Sequence, residues 1–183
     1  MKKIGERISY KDHGDYFTII ISSKIDKWKE NLMLVWLVAW TFCGVIFMYN
    51  IFNDSLNGEE RLFIMIFLVF WMYFEIKIFR AYLWRRLGIE YIKIDEDRFS
   101  IKKSIVGYGK ATEVFTSNIE KFSPIEFKEK SYAKVFNDTF WMIGKGIVHV
   151  ESKDIDIYLG IQLDFKDASK LSKELTKMIK KFQ

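Results

Sequence analysis

The sequence predicts an α+β membrane protein that combines a two-helix transmembrane hairpin with a small antiparallel β-domain. Two long apolar runs lie close together in the first half of the chain, at about residues 31–52 and 62–84. After Gly88 the pattern changes to alternating apolar and polar residues, which is typical of strands. Residues 164–182 return to a helical period, with one apolar stripe and many lysines.

The composition excludes several other classes of protein. Half of the 183 residues are apolar, 17% are aromatic and only one is proline, which argues against a disordered or repetitive chain. The single cysteine, Cys43, has no partner for an internal disulfide. Two histidines are too few for an ordinary structural zinc site. We therefore predict no metal site and no cofactor.

Residues 1–30 predict a cytoplasmic strand pair. The segments GERISY and DYFTIIIS alternate around the turn KDHG. Because an isolated hairpin is barely stable in water, these strands need a sheet or an interface to cover them. Whether they join the later strands is left open by the sequence.

The first transmembrane helix is predicted from a run without charge. No charged side chain occurs from Asn31 to Asn53. At 1.5 Å per residue the stretch from Leu32 to Phe52 is roughly 32 Å long, close to the hydrocarbon thickness of a bilayer. The apolar run is too long for a signal peptide, and a charged segment of about thirty residues precedes it.

The second transmembrane helix has a shorter apolar run. Leu62 to Phe74 contains no polar residue, and the helix must continue to Trp84 to cross a bilayer. The connection 53–61 contains Asn57-Gly58, a strong turn signal. We predict a helical hairpin with 53–61 as its outside turn.

Lysine and arginine residues set the predicted orientation. Three lysines precede the first helix and Arg85 and Arg86 follow the second, whereas the turn is acidic. The positive-inside rule then places both termini in the cytoplasm. Trp28, Trp84, Arg85 and Arg86 fall at the inner interface, where we expect them to anchor the helices.

The soluble part, residues 85–183, predicts seven strands and one helix. Short turn sequences separate neighbouring strands, which favours a small antiparallel barrel or sandwich. The amphipathic helix 164–182 has Asp164 as a candidate cap and covers an open end of the sheet structure. The predicted strands are 89–95, 98–105, 108–117, 119–127, 139–144, 146–152 and 154–161.

Seven strands closed by one C-terminal amphipathic helix resemble the pleckstrin-homology superfold. The order of strand pair, two spanning helices and β-domain is similar to that of bacterial membrane proteins with a PH-like domain. The resemblance implies a seven-stranded PH-like barrel and a two-pass topology in the bacterial inner membrane, and it implies no activity. The segments that show it are KIDKWKENLMLVWLVAW, LWRRLGIEYIKI, DEDRFSI and YLGIQLDFKDASKLSKEL.

Ionisable residues within the second helix are candidate contacts for a partner helix. These are Glu75, Lys77 and Arg80. Such residues at membrane depth are functional candidates by default. The alternative is that Lys77 and Arg80 extend to the inner head groups and only Glu75, about 14 Å from Trp84, is submerged.

Exposed lysines of the soluble part are candidate contacts for anionic lipid. The PH-like resemblance implies a basic first hairpin that binds head-group phosphates, but here that hairpin is acidic, Asp95-Glu96-Asp97. The remaining candidates are Lys102, Lys103, Lys173, Lys177 and Lys180. The last three lie on the C-terminal helix, for which membrane-surface binding is an alternative to covering the sheet.

We expect no catalytic site, because motifs for phosphate loops, dinucleotide binding, zinc peptidases and nucleophile elbows are missing from the sequence. Nucleic-acid binding is disfavoured, since residues 89–165 contain 11 Lys or Arg against 13 Asp or Glu. The leading hypothesis is a non-enzymatic membrane adaptor or accessory subunit, with the bilayer and another protein or a second copy as partners. The alternatives are a lipid-binding or membrane-stress sensing module and a small transporter or channel subunit that oligomerises through the second helix.

Overall fold

A computed structural model describes residues 1–52, 56–126 and 139–182. The helices are α1 (Lys27–Asn50), α2 (Gly58–Leu87) and α3 (Phe165–Ile179). The strands are β1 (Lys2–Ile4), β2 (Ile8–Asp12), β3 (Tyr16–Ser22), β4 (Gly88–Asp95), β5 (Arg98–Ile105), β6 (Ala111–Phe115), β7 (Ile119–Pro124), β8 (Gly146–Ser152) and β9 (Ile157–Ile161). The chain is therefore α+β, as its patterns predict.

Both long helices have the length and apolarity needed to cross a membrane. Their large apolar side chains are mostly exposed rather than packed in a protein core. Asn57 begins α2 with a capping box, because its side chain accepts from the Glu60 amide while the Glu60 carboxylate accepts from the Asn57 amide. Residues 53–55 of the predicted outside turn lie outside the described residues.

The strands form two antiparallel sheets. The larger sheet has the order β1-β2-β3-β4-β5-β6, and the smaller has the order β7-β8-β9. β3 pairs with β4 along its whole length, from Tyr16 opposite Asp95 to Ser22 opposite Ile89. The N-terminal strands therefore extend the sheet that begins after α2, which settles the question that the sequence left open.

A closed barrel is not found among the described residues. The strands lie in two separate sheets whose inner faces share one hydrophobic core. Residues 139–144, predicted as a strand, form turns instead. The strand prediction was wrong because Phe140 and Trp141 are adjacent apolar residues that pack against the helical hairpin, whereas a half-buried strand alternates apolar with polar residues. Phe127, predicted as the end of a strand, lies outside the described residues.

The core lies between the sheets and under α3. Phe99, Ile19 and Ile92 of the larger sheet face Val148 and Leu159 of the smaller one. The predicted apolar stripe of α3 closes this core, and its buried members are Ala168, Leu171, Leu175, Met178 and Ile179. Asp164 stands at the N-cap of α3, as predicted, but its side chain makes no capping hydrogen bond.

Helix α3 runs from the base of the helical hairpin to the far end of the domain. Its first turn follows Asp164, which borders the same cavity as Lys24 at the entry to α1. Near its other end, Lys181 Nζ lies 3.5 Å from Asp12 Oδ2, at the turn between β2 and β3. That turn is the end of β3 remote from α1, about 20 Å away along the strand.

Candidate functional site at the base of the helical hairpin

The β-domain is joined to the hairpin without a linker. β4 begins at Gly88, directly after Leu87 ends α2. Ser23, 2% exposed, precedes α1. Its hydroxyl contacts the carbonyl oxygens of Trp84 and Gly88 and shares its one proton between them, and its amide donates to Gly88 O at 3.1 Å. A Cβ atom on Gly88 would overlap Trp84 and Ser23. The entry to α1 and the exit from α2 are thus tied together, which fixes the domain relative to the helices.

Arg85 is buried at this base and binds the turn at 139–142. The residue is 2% exposed, and its guanidinium donates to three backbone carbonyls, Phe140 O at 3.4 Å, Thr139 O at 3.3 Å and Met142 O at 3.2 Å. The predicted role of Arg85 as an interface anchor does not fit this position, since its side chain contacts protein. Arg86 is the more exposed of the pair and lies 3.5 Å from Glu30 of α1.

An aromatic cluster surrounds the same base. Trp28 and Phe140 have ring centroids 6.2 Å apart, and Trp36 and Trp141 are separated by 5.7 Å. Trp28 is 61% exposed, whereas Trp84, the other predicted anchor, is 4% exposed and packs inside the junction. Sequence reasoning missed Phe140 and Trp141 as members of this cluster, although two adjacent aromatic residues are a poor match to a half-buried strand.

A polar cavity of about 340 Å³ opens between the hairpin base and the domain. Arg7, from the turn between β1 and β2, donates to Ser22 O and Gln162 O, each at 2.7 Å, and to Ile161 O at 3.3 Å. Burial lowers the pKa of Arg7, and the nearby carboxylates of Glu90, Asp164 and Asp167 act in the opposite direction. The cavity's charged side chains are Arg7, Lys24, Asp26, Lys29, Arg85 and Asp164.

Glu90 links the two sheets beside this cavity. It is 1% exposed on β4, and its carboxyl oxygens accept from the amides of Gly160 at 2.9 Å and Ile161 at 2.6 Å on β9. Burial raises the pKa of Glu90, while the two amides and the charges of Lys103 and Arg7 oppose that rise. Glu90 therefore supplies hydrogen bonds between strands of different sheets.

The intramembrane candidates do not form one cluster. Glu75 Oε1 accepts from Thr41 Oγ1 at 2.7 Å, so this carboxyl faces the other helix of its own hairpin. Its Oε2 is buried without a hydrogen-bond partner among the described residues. Lys77 is exposed and its ammonium lies 5.5 Å from the centroid of the Tyr73 ring. Arg80 is also exposed.

We expect the Glu75→Leu variant to keep the hairpin and to unfold at the same temperature as the parent or a few degrees higher. The bond to Thr41 contributes about 0.6 kcal/mol between apolar helices, whereas the Oε2 atom of Glu75, buried without a hydrogen-bond partner among the described residues, costs about 1–3 kcal/mol. Thermal unfolding in detergent micelles measures the difference, with Thr41→Val as the control that removes only the bond. A lower unfolding temperature for the leucine variant than for the parent would contradict this prediction and show that Glu75 stabilises the protein.

The candidate lipid-contact lysines are dispersed. Lys102 and Lys103 are neighbours on β5, so their side chains leave opposite faces of the sheet. Lys173, Lys177 and Lys180 are exposed along α3, and Lys177 binds Glu174 at 2.7 Å. Because α3 runs away from the hairpin base, Lys180 lies at the end of the domain farthest from it.

Taken together, the fold and the junction define an α+β protein whose two helices have the length and apolarity to span a membrane and are fixed to a two-sheet domain. Among the described residues, no group of three or more His, Cys, Asp or Glu side chains is arranged to hold a metal ion. No family model, curated protein or solved structure matches the chain. The resemblance to PH-like proteins therefore gains no support from these comparisons.

Proposed function

We propose that the chain is a non-enzymatic, membrane-anchored adaptor or accessory subunit of a larger membrane protein complex. The observation that supports this best is the direct junction of α2 with β4, tied by Ser23 to the start of α1. A flexible tether lets a domain sample many orientations, whereas this junction holds the domain in one orientation relative to the helices. A fixed orientation suits a protein that presents its surface to a neighbour in the same membrane.

The proposed placement is the bacterial inner membrane, with two passes and both termini in the cytoplasm. Lys24, Lys27 and Lys29 lie at the start of α1 and Arg86 at the end of α2, while Glu59 and Glu60 begin α2. Exposed apolar side chains line both helices between these ends, as lipid or a partner helix would require. The β-domain then sits on the cytoplasmic face.

Cysteine labelling tests this topology. In a Cys43→Ser background, Glu59→Cys is expected to react with a membrane-impermeant maleimide added to spheroplasts, because residue 59 lies at the outside end of α2. Lys173→Cys, exposed on α3, is expected to react only after lysis. Labelling of Lys173→Cys in intact spheroplasts would overturn the topology.

Copurification tests the adaptor proposal. We expect the tagged full chain, extracted with a gentle detergent, to bring a second membrane protein in stoichiometric amount. Photo-crosslinking residues at Val38 and Val69, 63% and 66% exposed, should capture that protein in membranes. The same residue at Met33 or Leu37, both buried, is the matched control and should not. Recovery of a lone monomer without crosslinks would refute the proposal.

A second candidate function, a lipid-binding or membrane-stress sensing module, is favoured by the four cationic side chains at the junction cavity. Its test requires the full chain. A fragment beginning at residue 89 would lose β1, β2 and β3, half of the six-stranded sheet. Binding data from such a fragment would describe a damaged domain.

A further inference from the structure

We propose that the cavity between the hairpin base and the β-domain is a binding site for a phosphate group, supplied by the head group of an anionic lipid. This inference rests on the membrane placement proposed above. The volume of about 340 Å³ falls in the range of about 300–1,000 Å³ that is usual for ligand sites. The site is separate from the lysines of β5 and α3 that the sequence marked as lipid contacts.

The first reason for a phosphate site is that two guanidinium groups are fixed in position beside the cavity. Arg7 and Arg85 both line the cavity, and each is positioned by hydrogen bonds to backbone carbonyls rather than to carboxylates. Among the described residues, neither guanidinium forms a salt bridge within 4.0 Å of a carboxylate. Carbonyls orient an arginine but do not neutralise it. Burial, followed by the nearby charge of Arg7, lowers the pKa of Arg85 to about 10, so this guanidinium stays charged at neutral pH. The carboxylates of Glu90, Asp164 and Asp167 offset part of the charge of Arg7, but two like charges still border one polar space. An anion in that space relieves their repulsion.

Guanidinium groups also suit phosphate in geometry. Each has five N–H donors in a planar fork, and the carbonyl bonds use only some of them. Phosphate oxygens accept such donors in pairs, which gives strong charge-assisted hydrogen bonds. Lys24 and Lys29 add two ammonium groups to the same lining.

Two helices begin at the cavity and reinforce this charge. Asp26 is the N-cap of α1 and Asp164 is the N-cap of α3, and both residues line the cavity. Neither aspartate makes a side-chain capping hydrogen bond. The positive ends of both helix dipoles therefore lie at the cavity without a capping acceptor from these side chains.

The carboxylates of the lining oppose an anion but do not cancel the cations. Asp26 is paired with Lys29 at 2.7 Å, and Asp164 is exposed. Four cations against two carboxylates leave a formal excess of two positive charges. In the proposed topology this excess lies at the level of the inner head groups, where basic pockets beside transmembrane helices bind anionic lipid.

Lipid retention by the purified full chain tests the proposal. The protein is incubated in detergent with phosphatidylglycerol or with phosphatidylcholine of the same acyl chains, and bound lipid is counted by native mass spectrometry. Inorganic phosphate is titrated separately, with binding followed by 31P NMR. We expect the parent to prefer phosphatidylglycerol by about 25-fold, since each of the two excess positive charges contributes about fivefold.

Three variants distinguish the cavity from general surface charge. Lys24→Gln/Lys29→Gln should lower phosphatidylglycerol retention by about 25-fold. Asp164→Asn should raise it, because this change removes an opposing carboxylate and keeps an N-cap residue. Lys121→Gln/Lys153→Gln makes the same change in net charge at two exposed residues outside the cavity lining, on β7 and after β8, and should leave retention unchanged. Arg7 and Arg85 are left intact because both bind backbone groups of the fold.

Each outcome decides one point. One outcome is that the cavity variants change the binding of inorganic phosphate in the predicted directions while no lipid is retained. In that case the phosphate site stands and the lipid head group is not its source of phosphate. Equal losses in both lysine pairs, or no preference in the parent, would overturn the site. The measurement needs no partner protein, so failure of the adaptor proposal appears separately as a lone monomer in copurification.

Discussion

The Glu90→Ala variant is expected to lose about 4 kcal/mol of the free energy of unfolding. Glu90 is buried on β4, and its two carboxyl oxygens satisfy the amides of Gly160 and Ile161 on β9. Alanine leaves both amides buried without an acceptor, and each such loss costs about 1–3 kcal/mol. Because β4 and β9 belong to different sheets, the loss separates the two layers of the domain.

Chemical unfolding of the full chain in detergent, followed by near-ultraviolet circular dichroism, measures this loss. Glu151→Ala is the matched control, since Glu151 is an exposed glutamate on β8 and its loss should change stability by about 0.5 kcal/mol or less. A Glu90→Ala variant that unfolds at the same denaturant concentration as the control would show that water or other groups replace the carboxyl group.

Glu90 also makes the free energy of unfolding depend on pH. Burial raises the pKa of Glu90 above its ordinary value of 4.5, so the folded state keeps the proton to a higher pH than the unfolded chain does. The resulting stability is fully present below pH 4.5 and is lost as the pH rises through the raised pKa. Glu90→Gln should flatten this decline in the unfolding curve, whereas Glu151→Gln should not.

Gly44→Leu is expected to separate the two long helices. The indole of Trp71 lies over Gly44, and a Cβ atom at residue 44 would already overlap it. Trp71 is buried between the helices and its Nε1 donates to Trp40 O at 2.9 Å. A leucine displaces the ring, removes that bond and overpacks the contact, at a cost of about 1–3 kcal/mol or more.

Crosslinking between the helices measures this separation. The rings of Phe47 and Phe67 have centroids 4.5 Å apart, so Phe47→Cys/Phe67→Cys in a Cys43→Ser background should be joined readily by a short bifunctional maleimide that spans the space left by the two rings. Adding Gly44→Leu should reduce the yield several-fold. Val45→Leu adds bulk at an exposed neighbouring residue and is the control. Equal yields with and without the Gly44 substitution would disprove the close approach at Trp71.

The sequence patterns predicted which segments form helices and strands better than they predicted which of these elements pack together. The alternation in 89–95 and 98–105 is reproduced closely by β4 and β5, because strong periodicity reflects one buried face. Residues 139–144 were assigned wrongly, since a short apolar run looks alike in a strand and in a turn packed on a helix. The extent of α2 to Leu87 was underestimated, because its last turn is held by contacts with the domain.

The junction could not be predicted from local pattern at all. Arg85 and Trp84 follow an apolar run, and such residues usually lie at the membrane surface. Here both are buried, because the turn at 139–142 and the start of α1 close over them. The contacts involve residues 54 to 61 positions apart, beyond the reach of any periodicity.

By itself the sequence determined the two apolar helices, the mixed α+β class and the amphipathic C-terminal helix. These follow from the local spacing of apolar residues, which selects a helix or a strand within about ten positions. Only the tertiary structure decided that β3 joins β4, that Glu90 bridges the sheets and that Arg7 and Arg85 meet at one cavity. Those arrangements depend on which buried polar groups find partners across the chain, and that is settled when distant segments pack together.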